Sequence, residues 1–170
     1  MKLITTGCLL AGALTLCSAQ NITPMAPKKG VWSLGFSVDY FKAQHSDSQT
    51  SLRAVPTYFV TDNIEVGLAV GWDHSSGFDS TFFGPEVRYY FGGPNNSLLK
   101  PFVGAVYQVN HATGESDSTL WGGEVGAHWF VANNVAVTGT FIWEQFRQSG
   151  ATESEIQFDM GFTIFFAGLK

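Results

Sequence analysis

The stretch IEVGLAVGWD, residues 64–73, alternates strictly between two kinds of side chain. Successive side chains of a β-strand point in opposite directions, so one face would be apolar and the other small and polar. The two sets are Ile64, Val66, Leu68, Val70 and Trp72 against Glu65, Gly67, Ala69, Gly71 and Asp73. A tilted strand of about ten residues also crosses a bilayer. The stretch therefore predicts a strand that is long enough to span a membrane.

The same period recurs through the rest of the chain. Eight alternating stretches of about ten residues are present, at residues 31–41, 51–60, 64–73, 81–91, 101–110, 120–131, 135–146 and 155–166. Short links at 61–63 and 132–134 alternate with longer polar links, which favours antiparallel hairpins. Pro56 and Pro85 lie inside predicted strands, and each predicts a bulge or local kink because proline has no N–H. We predict an all-β, eight-stranded antiparallel up-and-down transmembrane β-barrel.

The amino-terminal residues 1–19 have the features of a cleavable signal peptide. A positively charged start precedes an apolar stretch over residues 3–16, and small side chains before Gln20 suit cleavage. The apolar stretch is short for a spanning helix. The alternative is a lipoprotein signal with Cys17 lipidated, but Leu16 occupies a position where a small residue normally precedes the acylated cysteine. We expect export to the periplasm and cleavage after residue 19.

The composition is consistent with one exported domain. We assign residues 20–30 to an irregular lead and residues 31–170 to the barrel. Both cysteines, Cys8 and Cys17, fall in the predicted signal peptide, so the exported chain would carry no disulfide. Charged residues make up only 14% of the 170 residues, and the net charge is −5, which argues against a nucleic-acid partner. We expect no cofactor and no metal.

The aromatic residues indicate which face meets lipid. All five tryptophans fall on the apolar face, near strand ends, and aromatic belts at two levels are typical of transmembrane barrels. One predicted belt holds Trp32, Tyr58, Tyr89, Trp129 and Phe166, and the other holds Tyr40, Trp72, Tyr107, Trp121 and Trp143. A soluble lipocalin-like barrel or a two-sheet sandwich is the alternative, and neither fold requires two such levels. We therefore expect contact with outer-membrane lipid, as a monomer.

Two segments also carry a resemblance to a known family. They are PTYFVTDNIEVGL at residues 56–68 and FGPEVRYYF at residues 83–91. With these strand and turn patterns the chain resembles the OmpA/OmpX-type outer-membrane β-barrel domain family. The resemblance covers the chain after the signal peptide, and it implies a location in the bacterial outer membrane. It specifies the fold better than an activity.

The inward-facing residues predict a filled interior. Aromatic side chains near the periplasmic ends of the strands are expected to form a plug, namely Phe59, Tyr90, Phe102, Phe130 and Phe165. Above them we expect a paired polar network of Arg53, Glu86, Arg88, Glu124, His128 and Asp159, because charges in so narrow a space must be paired or hydrated. Acidic groups outnumber basic ones there. The excess negative charge would be accommodated either by trapped water or by a bound cation. A narrow pore for ions or small solutes is the alternative to a closed barrel.

The predicted extracellular links are the expected place for activity, since loops carry function on such scaffolds. We expect a role in envelope structure, or binding of an envelope or surface ligand, and no enzyme activity. One alternative is a lipid A-modifying hydrolase that uses His74 with Ser75 or Ser76, oriented by Asp73 or Asp79. A second is a metal site shared by histidines of three links, His45, His74 and His111, although their spacing carries no local metal signature.

Overall fold

The eight predicted strands form and close into a barrel in the computed structural model, which describes residues 22–25, 27–42, 48–75, 78–91, 97–112, 117–148 and 151–167. Each strand pairs antiparallel with the next along the chain, and the first pairs with the last. The strands are β1 (Trp32–Lys42), β2 (Ser48–Phe59), β3 (Ile64–Ser75), β4 (Phe78–Tyr90), β5 (Leu99–Ala112), β6 (Ser118–Ala132), β7 (Val135–Gln148) and β8 (Ala151–Phe166). The predicted fold class is confirmed. None of the described residues forms a helix long and apolar enough to cross a membrane.

The barrel has two different ends. Short turns join β2 to β3 and β6 to β7 at one end, which we call the turn end and which corresponds to the predicted periplasmic side. The link between β4 and β5, residues 91–98, also lies at the turn end and is the longest of the seven. The links at the other end, which we call the loop end, are residues 43–47, 76–77, 113–117 and 149–150, and all of these except residue 117 fall outside the described residues. The strands extend a few residues farther toward the loop end than the alternating pattern predicts, because strand pairing continues after the apolar alternation stops.

The polar face points inward and the apolar face outward, the reverse of a soluble barrel. In β3, Glu65 is 1% exposed and Ala69 is fully buried, whereas Leu68 is 46% exposed. All five tryptophans are outward and between 38% and 50% exposed. Small inward residues allow the narrow barrel to close around its larger side chains. The alternation in the sequence thus decides which residues reach the interior.

A pair of neighbouring rings from each predicted belt lies on the outside of the barrel. At the turn end Trp32 lies opposite Tyr58 on one side and Phe166 on the other, and the Trp32 and Tyr58 rings are 4.8 Å apart. At the loop end the Trp121 and Trp143 rings meet edge to face at 5.9 Å. The side chain of Tyr40 lies outside those that the structure describes.

The expectation of bulges at the two prolines is wrong. The strand register is the same on both sides of Pro56 and of Pro85, so neither one inserts an extra residue. The pairing of β2 with β3 instead skips Val55 and Pro56, and the pairing of β4 with β5 skips Gly84 and Pro85. A proline removes one donor from one side of its strand only, which interrupts that ladder locally and leaves the other intact.

The junction of β1 and β8, which we call the seam, is the shortest pairing in the barrel. Trp32–Ser37 pairs with Gly161–Phe166, although β1 continues to Lys42 and pairs with β2 along its whole length. Where the seam stops on the loop-end side, the two strands are very close, since a Cβ on Gly161 would lie 2.0 Å from the carbonyl oxygen of Phe36.

Candidate functional site

The five predicted plug residues lie together at the turn end. Phe59, Phe102, Phe130 and Phe165 are at most 1% exposed, and Tyr90 is 2% exposed. Neighbouring rings are 5.0–6.4 Å apart along the series Phe102, Tyr90, Phe59, Phe165 and Phe130. Offset and tilted ring pairs at such separations are favourable beyond the area that they bury. We call this cluster the plug.

Tyr90 joins the plug to the polar interior. Its ring packs among the phenylalanines, and its hydroxyl donates to Oε2 of Glu65 at 2.6 Å. The same hydroxyl oxygen lies 2.7 Å from Nε2 of His128. A phenol has a single proton to donate, and Glu65 receives it, so His128 Nε2 is the donor to Tyr90.

The hydrogen bonds continue from His128 to the far side of the barrel. Its Nδ1 lies 2.7 Å from Oγ1 of Thr138, which lies 2.7 Å from Oγ1 of Thr163. At the other end of this series Ser33 donates to Glu65 Oε1 at 2.8 Å, and Thr57 donates to the same oxygen. The series therefore connects side chains from seven of the eight strands, including both strands of the seam.

A second network, made of ion pairs, lies on the loop-end side of this series. Arg88 donates to both carboxylate oxygens of Glu124, at 2.7 and 3.1 Å, in the bidentate arrangement that a guanidinium favours. Its Nη2 is also 3.2 Å from Glu86 Oε1. Arg53 contacts the other oxygen of Glu86 at 2.9 Å and Asp159 at 3.6 Å. The Arg88 guanidinium also lies 4.8 Å from the centre of the Phe102 ring, so the ion pairs rest directly on the plug.

The structure divides the predicted polar network into two parts. Five of its members form the ion-pair network, but His128 forms no ion pair among the described residues and stacks instead on the Tyr90 ring at 5.6 Å. His128 is thus part of a polar network through Tyr90 and Thr138, but its ring lies against the plug rings Tyr90, Phe102 and Phe165 and not above them. Sequence reasoning also missed the partners that the hydrogen-bond series uses, which are Ser33, Thr57, Glu65, Thr138 and Thr163. The sequence feature that could have identified them is that all five are polar, face inward and lie at the same height in the barrel.

Little space remains between the ion pairs and the seam. A cavity of about 40 Å³ is lined by Ser37, Arg53, Thr140 and Asp159, among others, and could hold about three water molecules. Closer to the loop end, the Gln108 Nε2 and Asn110 Oδ1 atoms are buried without a hydrogen-bond partner among the described residues. Buried amides of this kind usually bind water. Among the described residues, side chains thus occupy most of the space between the plug and the ion pairs.

The loop end carries two histidine–aspartate pairs. His74 Nδ1 is 2.6 Å from Asp79 Oδ1, and His111 Nδ1 is 2.6 Å from Asp117 Oδ1. Each pair belongs to one hairpin, and the described residues contain no group of three or more metal-ligating side chains. His45 lies outside the described residues. The alternative of a metal site shared by His45, His74 and His111 therefore stays a prediction.

The arrangement around His74 also bears on the hydrolase alternative. Asp79 holds the imidazole, and the His74 ring stacks on Trp72 at 5.4 Å. Asp73 instead accepts a hydrogen bond from Ser80 at 3.4 Å. Ser76 and the side chain of Ser75 lie outside what the structure describes. Because the same histidine–aspartate geometry recurs at His111, it is an ordinary exposed pair and not a feature peculiar to a catalytic site.

Removing the Tyr90 hydroxyl should weaken the barrel while leaving the plug ring in place. Tyr90→Phe leaves Glu65 and His128 buried without one partner each, and we expect a loss of about 1–3 kcal/mol in the free energy of unfolding. Tyr89→Phe is the matched control, because that neighbouring ring is outward and 45% exposed. Urea unfolding followed by tryptophan fluorescence measures both. Equal stability of the two variants would contradict the role assigned to the Tyr90 hydroxyl.

Comparison with known proteins places this geometry in a recognised architecture. No family model and no curated protein matches the sequence. The N-terminal β-barrel domain of Pseudomonas aeruginosa OprF is 19% identical with a TM-score of 0.60, and the match covers 82% of this chain and 98% of that one. Neisserial surface protein A (NspA) is 16% identical with a TM-score of 0.59, covering 79% and 94%. The outer membrane protein OprG from Pseudomonas aeruginosa is 16% identical with a TM-score of 0.57, covering 86% and 99%. The chain has the eight-stranded transmembrane barrel fold of small outer-membrane proteins of the OmpA/OmpX type.

Proposed function

We propose that this chain is an integral protein of the bacterial outer membrane whose interior is closed to ions and solutes. The protein then acts through its loop end, either in envelope structure or by binding a surface ligand. It is not an enzyme. The barrel serves as a rigid support that holds the loop end at the cell surface. The outward aromatic belts, on either side of an aliphatic band, support the membrane location.

One observation carries the closed interior. The plug fills the turn end with five aromatic side chains that are almost completely buried, and the ion pairs of Arg53 and Arg88 occupy the space directly above it. An open pore needs a continuous hydrated path, whereas these side chains are packed against one another and paired. A narrow pore is the alternative function, and it requires the plug and the ion pairs to move together.

Electrical recording across planar lipid bilayers tests the closed interior. Purified wild-type protein should show no steady conductance. Replacing two plug rings, Phe59→Ala with Phe165→Ala, should produce openings, because it removes two large side chains from a fully buried cluster. The control replaces two outward rings, Phe158→Ala with Phe162→Ala, which are 48% and 56% exposed, and it should stay silent. Steady conductance of porin size in the wild type would overturn the proposal.

Binding at the loop end is tested by exchanging links at opposite ends of the barrel. A variant in which a five-residue Gly-Ser linker replaces residues 113–117 alters the link between β5 and β6 at the loop end, and a variant in which the same linker replaces residues 92–96 alters the link between β4 and β5 at the turn end. Whole cells producing each variant are tested for retention of soluble envelope and host-surface components. We expect the first replacement to lose binding that the second one keeps. Equal retention by both variants and the wild type would favour a purely structural role.

A further inference from the structure

The segment before β1 crosses the turn end of the barrel instead of leaving it. We call residues 22–25 and 27–30 the strap. Met25 donates its backbone N–H to the carbonyl oxygen of Asn133 at 2.6 Å, and the backbone N–H of Thr23 donates to Asn133 Oδ1 at 3.0 Å. At the other end of the strap, the N–H of Lys29 donates to Asp62 Oδ1 at 3.0 Å. Both acceptors belong to short turns.

The positions of these two turns show that the strap spans a diameter. Asp62 lies in the turn between β2 and β3, and Asn133 lies in the turn between β6 and β7. Four strands separate the two turns in either direction around an eight-stranded barrel. A segment fastened to both must therefore pass over the middle of the opening. The four residue steps from Met25 to Lys29 reach at most about 14 Å, so the strap takes a short path between the two turns.

The underside of the strap is matched to the plug. Ile22 and Met25 pack against the buried cluster that contains the plug together with Val31 and Ala136, and Pro24 is buried as well. The strap thereby removes apolar plug surface from water. Lys28 and Lys29 are exposed, so the outer side of the strap is polar. This division of apolar and polar residues is that of a cover over an opening.

The strap joins the barrel through a tight turn at Gly30. The N–H of Val31 donates to the carbonyl oxygen of Lys28 at 3.0 Å, which closes a four-residue turn. Gly30 has a φ of 91°, the left-handed conformation that such a turn requires at its third residue and that glycine adopts without strain. Its N–H donates to the carbonyl oxygen of the plug residue Phe59 at 2.9 Å. Movement of the strap about Gly30 would therefore act on the plug directly.

We propose that the strap is a lid on the periplasmic mouth of the barrel, latched by Asn133 on one side and Asp62 on the other. With the lid latched, the plug is shielded from water and its rings stay packed. With the lid released, the plug faces the periplasm and loosens. The proposal rests on the closed interior proposed above, because a lid has a function only on a barrel that is otherwise sealed.

Hydrogen exchange on the full exported chain in detergent micelles tests the latches. The amides of Thr23, Met25 and Lys29 should exchange slowly in the wild type. The release variant combines Asp62→Ala with Asn133→Gly, since glycine is tolerated in a tight turn. The amides of Thr23 and Lys29, which donate to the two removed side chains, should then exchange about tenfold faster or more, whereas Met25 keeps its main-chain acceptor. The control combines Asn63→Ala with Asn134→Gly in the same two turns, where no side-chain hydrogen bond is made among the described residues. Its three amides should exchange as in the wild type.

Bilayer recordings on the same proteins test the seal. The release variant should show brief openings that the wild type and the control lack. Unchanged exchange in the release variant would overturn the latches, and fast exchange without any openings would overturn the lid. Steady conductance of the wild type would instead contradict the closed interior itself, while the exchange rates would still decide whether Asn133 and Asp62 hold the strap.

Discussion

Complete pairing of the backbone is the constraint on which the rest of this structure depends. A spanning strand has no water with which to satisfy its N–H and C=O groups, so the sheet must close on itself. Closure of only eight strands leaves a narrow interior. At the seam, the backbones of β1 and β8 come so close at Gly161 that there is no room for a Cβ atom. The seam is also the shortest pairing, and the hydrogen bonds from Thr163 through His128 and Glu65 to Ser33 join its two strands from inside.

The narrow interior in turn decides how polar groups are accommodated. Arg88 and Arg53 lie between three carboxylates that cannot reach bulk water easily, and each guanidinium contacts two or more of them. Removing one partner from such a buried set is costly, since the other charge is left unpaired. The plug closes the turn end below, and Phe102 supports Arg88 through its ring face. Filling and pairing thus follow from barrel size, and both support the proposal that the interior is closed.

The alternating sequence predicted the strands, their faces and the two belts, because a period of two determines which side each residue takes. It could not predict which inward residues meet across the barrel, since that depends on shear, and the contact of the His128 ring with the plug rings is one example. The prolines were misjudged because their effect depends on which neighbouring strand loses a donor. The strap has no periodicity at all, and only its contacts with Asp62 and Asn133 reveal its path.

Lipid contact of the outward face is the central claim, and quenching of tryptophan fluorescence by brominated lipids in reconstituted bilayers tests it most directly. All five tryptophans are outward and lie in the two belts, near the interfaces and away from the bilayer centre. Strong quenching is expected, and it should be greater for lipids brominated near the headgroup end of the acyl chain than for lipids brominated near its terminus. Weak quenching at every bromine depth would contradict the account, because it would place these side chains away from lipid.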